Sequence, residues 1–120
     1  MIIAVTTSGE GLTASLDPRL GRAPQFLVFN TQDDSISMVE NAKDLGTAQG
    51  AGLQSAQNLA RTGAEAVITG NCGPKAHKAL SAAGIKIYRS DAATAGQALE
   101  LWKAGKLELL AAANVEAHWI

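Results

Sequence analysis

A single cysteine, Cys72, stands in 120 residues, which excludes an intramolecular disulfide and any zinc site built from two or more thiolates. Lysine and arginine form no run and the formal net charge is −1, so a broad nucleic-acid patch is not expected. No apolar stretch approaches the ~20 residues of a membrane-spanning helix. The first residues carry neither a basic segment nor a small-residue cleavage site, so a soluble, cytoplasmic chain is expected. With no disulfide or thiolate metal site to staple it, a chain of this length must rest on a hydrophobic core, and one domain over 1–120 is expected.

What is present centres on Ile68-Thr69-Gly70-Asn71-Cys72-Gly73-Pro74. These residues follow Ala66-Val67, an apolar run that reads as a buried strand. They precede Ala76, Ala79, Leu80 and Ala83, which recur at the spacing of a helix face. A strand therefore ends in a two-glycine turn, and a helix starts at Pro74, where proline fits best. Such a junction presents backbone N–H groups at the positive end of a helix, a seat for an anion. At this position Cys72 is expected to have some thiolate character. An ordinary glycine-lined connection is the competing reading.

The rest of the chain supplies strands and helices in the order βββαβαβα. Ile2–Val5 and Phe26–Phe29 are continuous apolar runs, expected to be buried on both faces. Ser35–Glu40 alternates, with Ile36 and Met38 facing one way, as does Ile85–Tyr88; both read as edge strands. One helix carries Leu53, Ala56, Leu59 and Ala60 on its apolar side and stops at Gly63. The last carries Ala95, Ala98, Leu99 and Trp102 and stops at Gly105. Central apolar strands and alternating margins give the sheet order 3-2-1-4-5, with strand two antiparallel because a tight turn joins it to strand three. Right-handed crossovers put the first two helices on one face and leave the third for the other. The expected fold is a three-layer α/β/α domain of the ribonuclease-H-like type with a five-stranded mixed sheet.

In that topology the loops Thr6–Gln25, Asn41–Gly52, Gly70–Gly73 and Arg89–Thr94 converge beyond the C-terminal strand ends, where open α/β sheets bind ligands. All three helices begin there, so three positive dipole ends face one rim. Arg19, Arg22, Lys43 and Lys75 lie in or near these loops, together with Glu10, Asp17, Asp44 and Asp91. An anionic small ligand is the physical inference. Gly9-Glu10-Gly11-Leu12-Thr13-Ala14 formally matches a dinucleotide fingerprint, but Pro18, Gly21 and Pro24 leave no room for the helix it needs. Strands one and four carry no carboxylates for a two-metal nuclease centre. Cys72 has no assignable base and orienting partner beyond His77, one turn into the helix, so nucleophilic catalysis is the weaker alternative. His118 and Trp119 lie in a tail, 113–120, expected to be flexible.

Several stretches resemble one known family. Asp17-Pro18-Arg19-Leu20-Gly21-Arg22-Ala23-Pro24-Gln25-Phe26 is similar to the D-P-R-F-G-R-A-P-Y-F signature of the dinitrogenase iron–molybdenum cofactor biosynthesis family. Gly50-Ala51-Gly52-Leu53-Gln54-Ser55-Ala56-Gln57 resembles its G-A-G-I-Q-A-A-Q helix entry. Thr69–Ala76 resembles its T-G-N-x-G-P-N-A turn, and Ala113–Trp119 its A-N-V-E-G-H-W tail. Leu20, Lys75 and Ala117 depart from the pattern.

The resemblance implies a ribonuclease-H-like fold and a non-enzymatic role. That role is to hold an anionic metal–sulfur cluster for storage, transfer or assembly, with an unidentified protein as donor or acceptor. The cluster would be an iron–molybdenum–sulfur precursor, as in NifX-like carriers, or a molybdenum–copper sulfide. The unflanked length implies the molybdenum–copper subgroup. Rim and resemblance together single out Thr7, Ser8, Arg19, Gly21, Arg22, Gly50, Gly52, Gly70, Asn71, Cys72, Gly73, Pro74 and His77 as cofactor-binding candidates, with Cys72 the candidate metal ligand. A small-anion or nucleotide sensor is the main alternative.

Overall fold

A computed structural model describes residues 1–41 and 51–114 of the chain. Its elements are β1 (Ile2–Thr7), β2 (Gln25–Asn30), β3 (Ser35–Glu40), α1 (Ala51–Arg61), β4 (Ala66–Thr69), α2 (Pro74–Ala82), β5 (Lys86–Arg89), α3 (Ala95–Lys103) and β6 (Glu108–Leu109). They form one mixed sheet of order β3-β2-β1-β4-β5-β6. β1 runs parallel to β4 and β4 to β5, while β2 is antiparallel to both β1 and β3.

The expected order 3-2-1-4-5 is therefore present, but the sheet has six strands, not five. β5 is not the margin, because Glu108 and Leu109 pair antiparallel with Arg89 and Tyr88. Two exposed residues offer no hydrophobic period, so nothing in the pattern of Glu108-Leu109 distinguishes a strand from a loop. β1 also runs two residues further than its apolar stretch, carrying Thr6 and Thr7 into the rim fully buried.

The sheet separates two apolar layers. On one face Ala4, Phe26 and Val67 pack with Ala56 and Leu59 of α1 and Ala76 and Leu80 of α2. On the other Ile3, Val5, Leu27, Phe29 and Ile68 pack with Ala95, Ala98 and Leu99 of α3. Alternate side chains of the central strands serve opposite layers, which is why those strands read as unbroken apolar runs. The assignment of two helices to one face and the third to the other holds.

Two side chains placed on the apolar side of α1 by periodicity, Leu53 and Ala60, are exposed, as is Ile36 on the edge strand β3. The buried face of α1 is instead partly polar. Asn41 donates through Nδ2 to Ala23 O and to Ser55 Oγ, both at 2.8 Å, and Asn58 donates to Asn41 Oδ1 at 2.6 Å. Ser55 in turn donates to Gly21 O at 3.3 Å. A satisfied network of this kind lets polar side chains occupy a core position, so the helix is rotated from the orientation that Leu53 and Ala60 alone suggest.

Candidate anion site at the C-terminal strand ends

β1, β3, β4 and β5 all end at the same rim, and the loop after β1 stitches its described parts together. Isolated bridges join Thr7 to Leu16, Ser15 to Thr94, and Arg19 to Asn71. Leu20 N donates to Asn71 O at 3.3 Å, and Asn41 N donates to Pro24 O at 2.9 Å. The expected convergence of loops is thus present for residues 8–24, 41, 70–73 and 90–94. Lys43, Asp44, Gly46 and Gly50, expected at the same rim, lie outside the described residues, as do His118 and Trp119.

One helix start is not available to a ligand. Ala95 N donates to Ala14 O at 2.9 Å and Gly96 N to Leu12 O at 2.8 Å. The next amide, Gln97 N, donates to Thr94 Oγ1 at 3.2 Å. The first turn of α3 is therefore satisfied by the loop and its own cap, and its dipole end serves the fold. α2 differs. Its N-cap is Gly73, in extended conformation with no side-chain hydrogen bond, and Pro74 is its first helical residue. Its positive end has no capping side chain of its own.

Against that helix start lies Asp17-Pro18-Arg19. The buried Asp17 carboxylate accepts from Ser8 Oγ through Oδ2 and from Arg19 N through Oδ1, both at 3.0 Å. Asp17 N donates to Thr6 O at 2.8 Å, and Thr6 Oγ1 donates back to Asp17 O at 2.8 Å. Gly70 closes the assembly: a Cβ there would sit 2.7 Å from Pro18 Cα, so turn and loop meet backbone to backbone. Arg19, paired with Asn71, is exposed, and its guanidinium has no ion-pair partner among the described residues. Arg22 follows in the same loop, half-buried, with its N–H on Arg19 O at 3.1 Å.

The other candidates fall into two groups. Thr7 and Ser8 shape the loop: Thr7 Oγ1 donates to Gly9 O at 2.8 Å, and Ser8 holds Asp17. Gly21 and Gly52 are buried against α1's polar network and within α1 itself. Asn71 spans the junction, donating through Nδ2 to Pro18 O at 3.2 Å. His77 faces away from the rim's loops. Its Nε2 meets Leu110 O at 3.0 Å and its Nδ1 lies 3.4 Å from Ser81 Oγ, so it ties α2 to the segment after β6.

Cys72 corrects an expectation. Its side chain is fully buried in the α1/α2 layer, with Sγ 3.6 Å from Gly73 O. Burial pushes the thiol up to about 12, the opposite of thiolate character. The Cys72 N–H is also taken, by Asn114 Oδ1 at 2.8 Å, so this amide of the turn does not face an anion. Because the folded-state value lies above the ordinary thiol range, the unfolded chain sheds this proton first as pH rises. The folded protein then holds more protons, and stability falls with pH. Urea midpoints are expected to be level below pH 9 and to decline between pH 9 and about 12, with Cys72→Ala removing part of that decline. An identical decline in the alanine variant would contradict this.

Asn114 is the residue that the sequence did not single out. The tail was expected to be free from 113, yet Asn114 makes three hydrogen bonds to residues 71 and 72. Its only sequence signal is its place in the A-N-V-E stretch. Among the described residues, no group of three or more His, Cys, Asp or Glu side chains is placed to hold a metal ion. No helix among them is long and apolar enough to cross a membrane.

Comparison with known proteins agrees with this architecture. Residues 1–105 match the family model described as dinitrogenase iron-molybdenum cofactor. The apo form of the orange protein from Desulfovibrio gigas is similar in structure, with TM-score 0.90 and 39% identity over 95% of this chain and 96% of that one. The Thermotoga protein TM1290 superposes with TM-score 0.80 at 31% identity over 96% of this chain and 97% of its own. The MJ0580 protein of Methanocaldococcus jannaschii is 31% identical over 96 residues, 78% of this chain and 80% of that protein.

Proposed function

We propose, because this chain belongs to the dinitrogenase iron–molybdenum cofactor family, that its rim holds an anionic metal–sulfur cluster as cargo. The role is storage, transfer or assembly rather than catalysis. A molybdenum–copper sulfide, the cargo that the sequence resemblance implies, is the favoured one. An iron–molybdenum–sulfur precursor is the second candidate. Delivery and removal would involve protein partners in the cytoplasm, and the three layers are read as a ribonuclease-H-like scaffold.

One observation carries the reading: an exposed arginine, Arg19, has its backbone held by the Asp17 carboxylate and bridged to Asn71, in a loop packed at Pro18 against Gly70 of the turn that opens α2. A guanidinium and a helix N-terminus together favour a compact anion. Arg22 and Lys75 add positive charge to the same rim. Sulfide ligands travel with the cluster, so the protein need supply few or no bonds to metal. That suits a chain whose one thiol is buried and protonated.

The test is reconstitution of the apoprotein with tetrathiomolybdate and a copper salt, followed by gel filtration. Visible absorbance and molybdenum co-eluting with the protein are expected. Separation of the two on the column would overturn the assignment, and titration with a nucleotide panel would then probe the small-anion alternative.

A further inference from the structure

We infer that Asn114 is a positioning residue for Arg19, acting through the side-chain amide of Asn71. Its link to binding rests on the reading of the rim as an anion site. Asn114 Nδ2 donates to Asn71 Oδ1 at 3.0 Å, and Asn71 Nδ2 donates to Pro18 O at 3.2 Å. A primary amide has its acceptor at one end and its donors at the other. Once Asn114 holds the oxygen of Asn71, the Asn71 nitrogen is directed at Pro18, the residue before Arg19. Two amides in series thus connect the end of the described chain to the arginine loop.

The remaining contacts of Asn114 fix where it stands. Its N–H donates to Cys72 O at 3.1 Å while its Oδ1 accepts from Cys72 N at 2.8 Å, a reciprocal grip on one residue of the turn. The segment that delivers it is secured just upstream: Leu110 N donates to Ile87 O at 2.8 Å, and Leu110 O meets His77 Nε2 at 3.0 Å. Asn114 therefore reaches the turn from an anchored strand. His77, expected at the rim as a ligand contact, serves that anchor.

Backbone packing at Gly70 and the Asp17 turn hold Pro18 and Arg19 independently of Asn114. Losing the amide relay should therefore loosen the loop without unfolding the protein. In the full-length apoprotein, Asn114→Ala is expected to lower the steady-state ¹H–¹⁵N NOE of residues 19–22 while the core amides keep theirs. Copper–tetrathiomolybdate affinity should fall about fivefold, the size of one lost hydrogen bond. In an Arg19→Ala background the same change should have almost no further effect, because the two side chains act as one unit. Asn114→Asp retains an acceptor for Cys72 N–H and loses the donor to Asn71, but it adds a negative charge at the rim, so its NOE alone, not its affinity, reads the relay should the alanine variant fail to fold.

An unaltered NOE at residues 19–22 in both variants would overturn the inference. So would losses of affinity that add fully to that of Arg19→Ala. If wild-type protein retains no cluster, the proposed cargo fails, while the NOE still decides whether Asn114 orders the loop.

Discussion

Gly70→Ala is expected to destabilise the fold by roughly 1–3 kcal/mol, the cost of forcing a methyl group into a filled site, and to abolish cluster retention. The new Cβ would lie 2.7 Å from Pro18 Cα, 2.9 Å from Pro18 Cβ and 3.0 Å from Pro18 O. Two of those atoms are backbone and the third belongs to a ring, so no rotamer change relieves the contact. The loop must move as a body. Pro18 is flanked by Asp17, whose carboxylate holds Arg19 N, and by the Arg19–Asn71 bridge, so Arg19 moves with it. A control separates this from general glycine effects. Gly84, at the opposite end of α2, has φ +77° and nothing within 4 Å of a built Cβ. Gly84→Ala should cost ~1–2 kcal/mol of left-handed backbone strain and leave cluster retention intact. Urea titration reads the stability of both variants, and reconstitution with copper and tetrathiomolybdate reads retention. Equal retention by Gly70→Ala and wild type would show that the contact does not place Arg19.

The parts of this structure that sequence revealed are those in which hydrophobicity and chain geometry act together. Ile2–Val5, Phe26–Phe29 and Ala66-Val67 are apolar without alternation because the sheet is covered on both faces, and that property alone fixes their central positions. Pro74 marked the start of α2, and the structure begins the helix there. Where polar side chains do structural work, the same logic failed. Ser55 and Asn58 face inward on α1 because Asn41 and the loop carbonyls satisfy them, and hydrophobic periodicity counts any polar residue as outward. β6 is too short to carry a period at all.

The candidate site was legible at its two poles and not in between. Arg19 and the Gly70–Pro74 turn could be singled out because glycine, proline and charge leave local signatures. Cys72 was misjudged for a related reason: a turn position says that the backbone is near the surface but not which way the side chain points. Here the thiol points into the layer of Leu20, Phe26 and Leu80, while its neighbour Asn71 remains partly exposed. The contacts that join the poles are long in sequence. Asn114 is 42 residues from Cys72, and Asn71 is 53 from Pro18. No local pattern encodes such pairs, because each residue is an ordinary polar residue until the fold brings its partner within reach.

Arg19 and Cys72 then make opposing predictions about what holds the cargo. If charge and backbone donors hold the cluster, Arg19→Ala should weaken binding by roughly 1.5–3 kcal/mol, the range for hydrogen bonds to charged groups, or about tenfold to 150-fold in dissociation constant. The loss should shrink as salt is raised, because Arg19 is exposed and its field is screened. Cys72→Ala should remove about 1 kcal/mol of packing and leave the visible spectrum of the reconstituted protein unchanged. Its Sγ is fully buried, and a cluster could reach it only by opening the core between α1 and α2. Burial further costs the thiolate form, which is the form that binds metal. Direct ligation predicts the reverse order: shifted charge-transfer bands and lost retention in Cys72→Ala, with Arg19→Ala nearly silent. Spectra and retention of the two variants, compared at low and high salt, distinguish an electrostatic cradle from a thiolate bond, and the buried, protonated Cys72 favours the cradle.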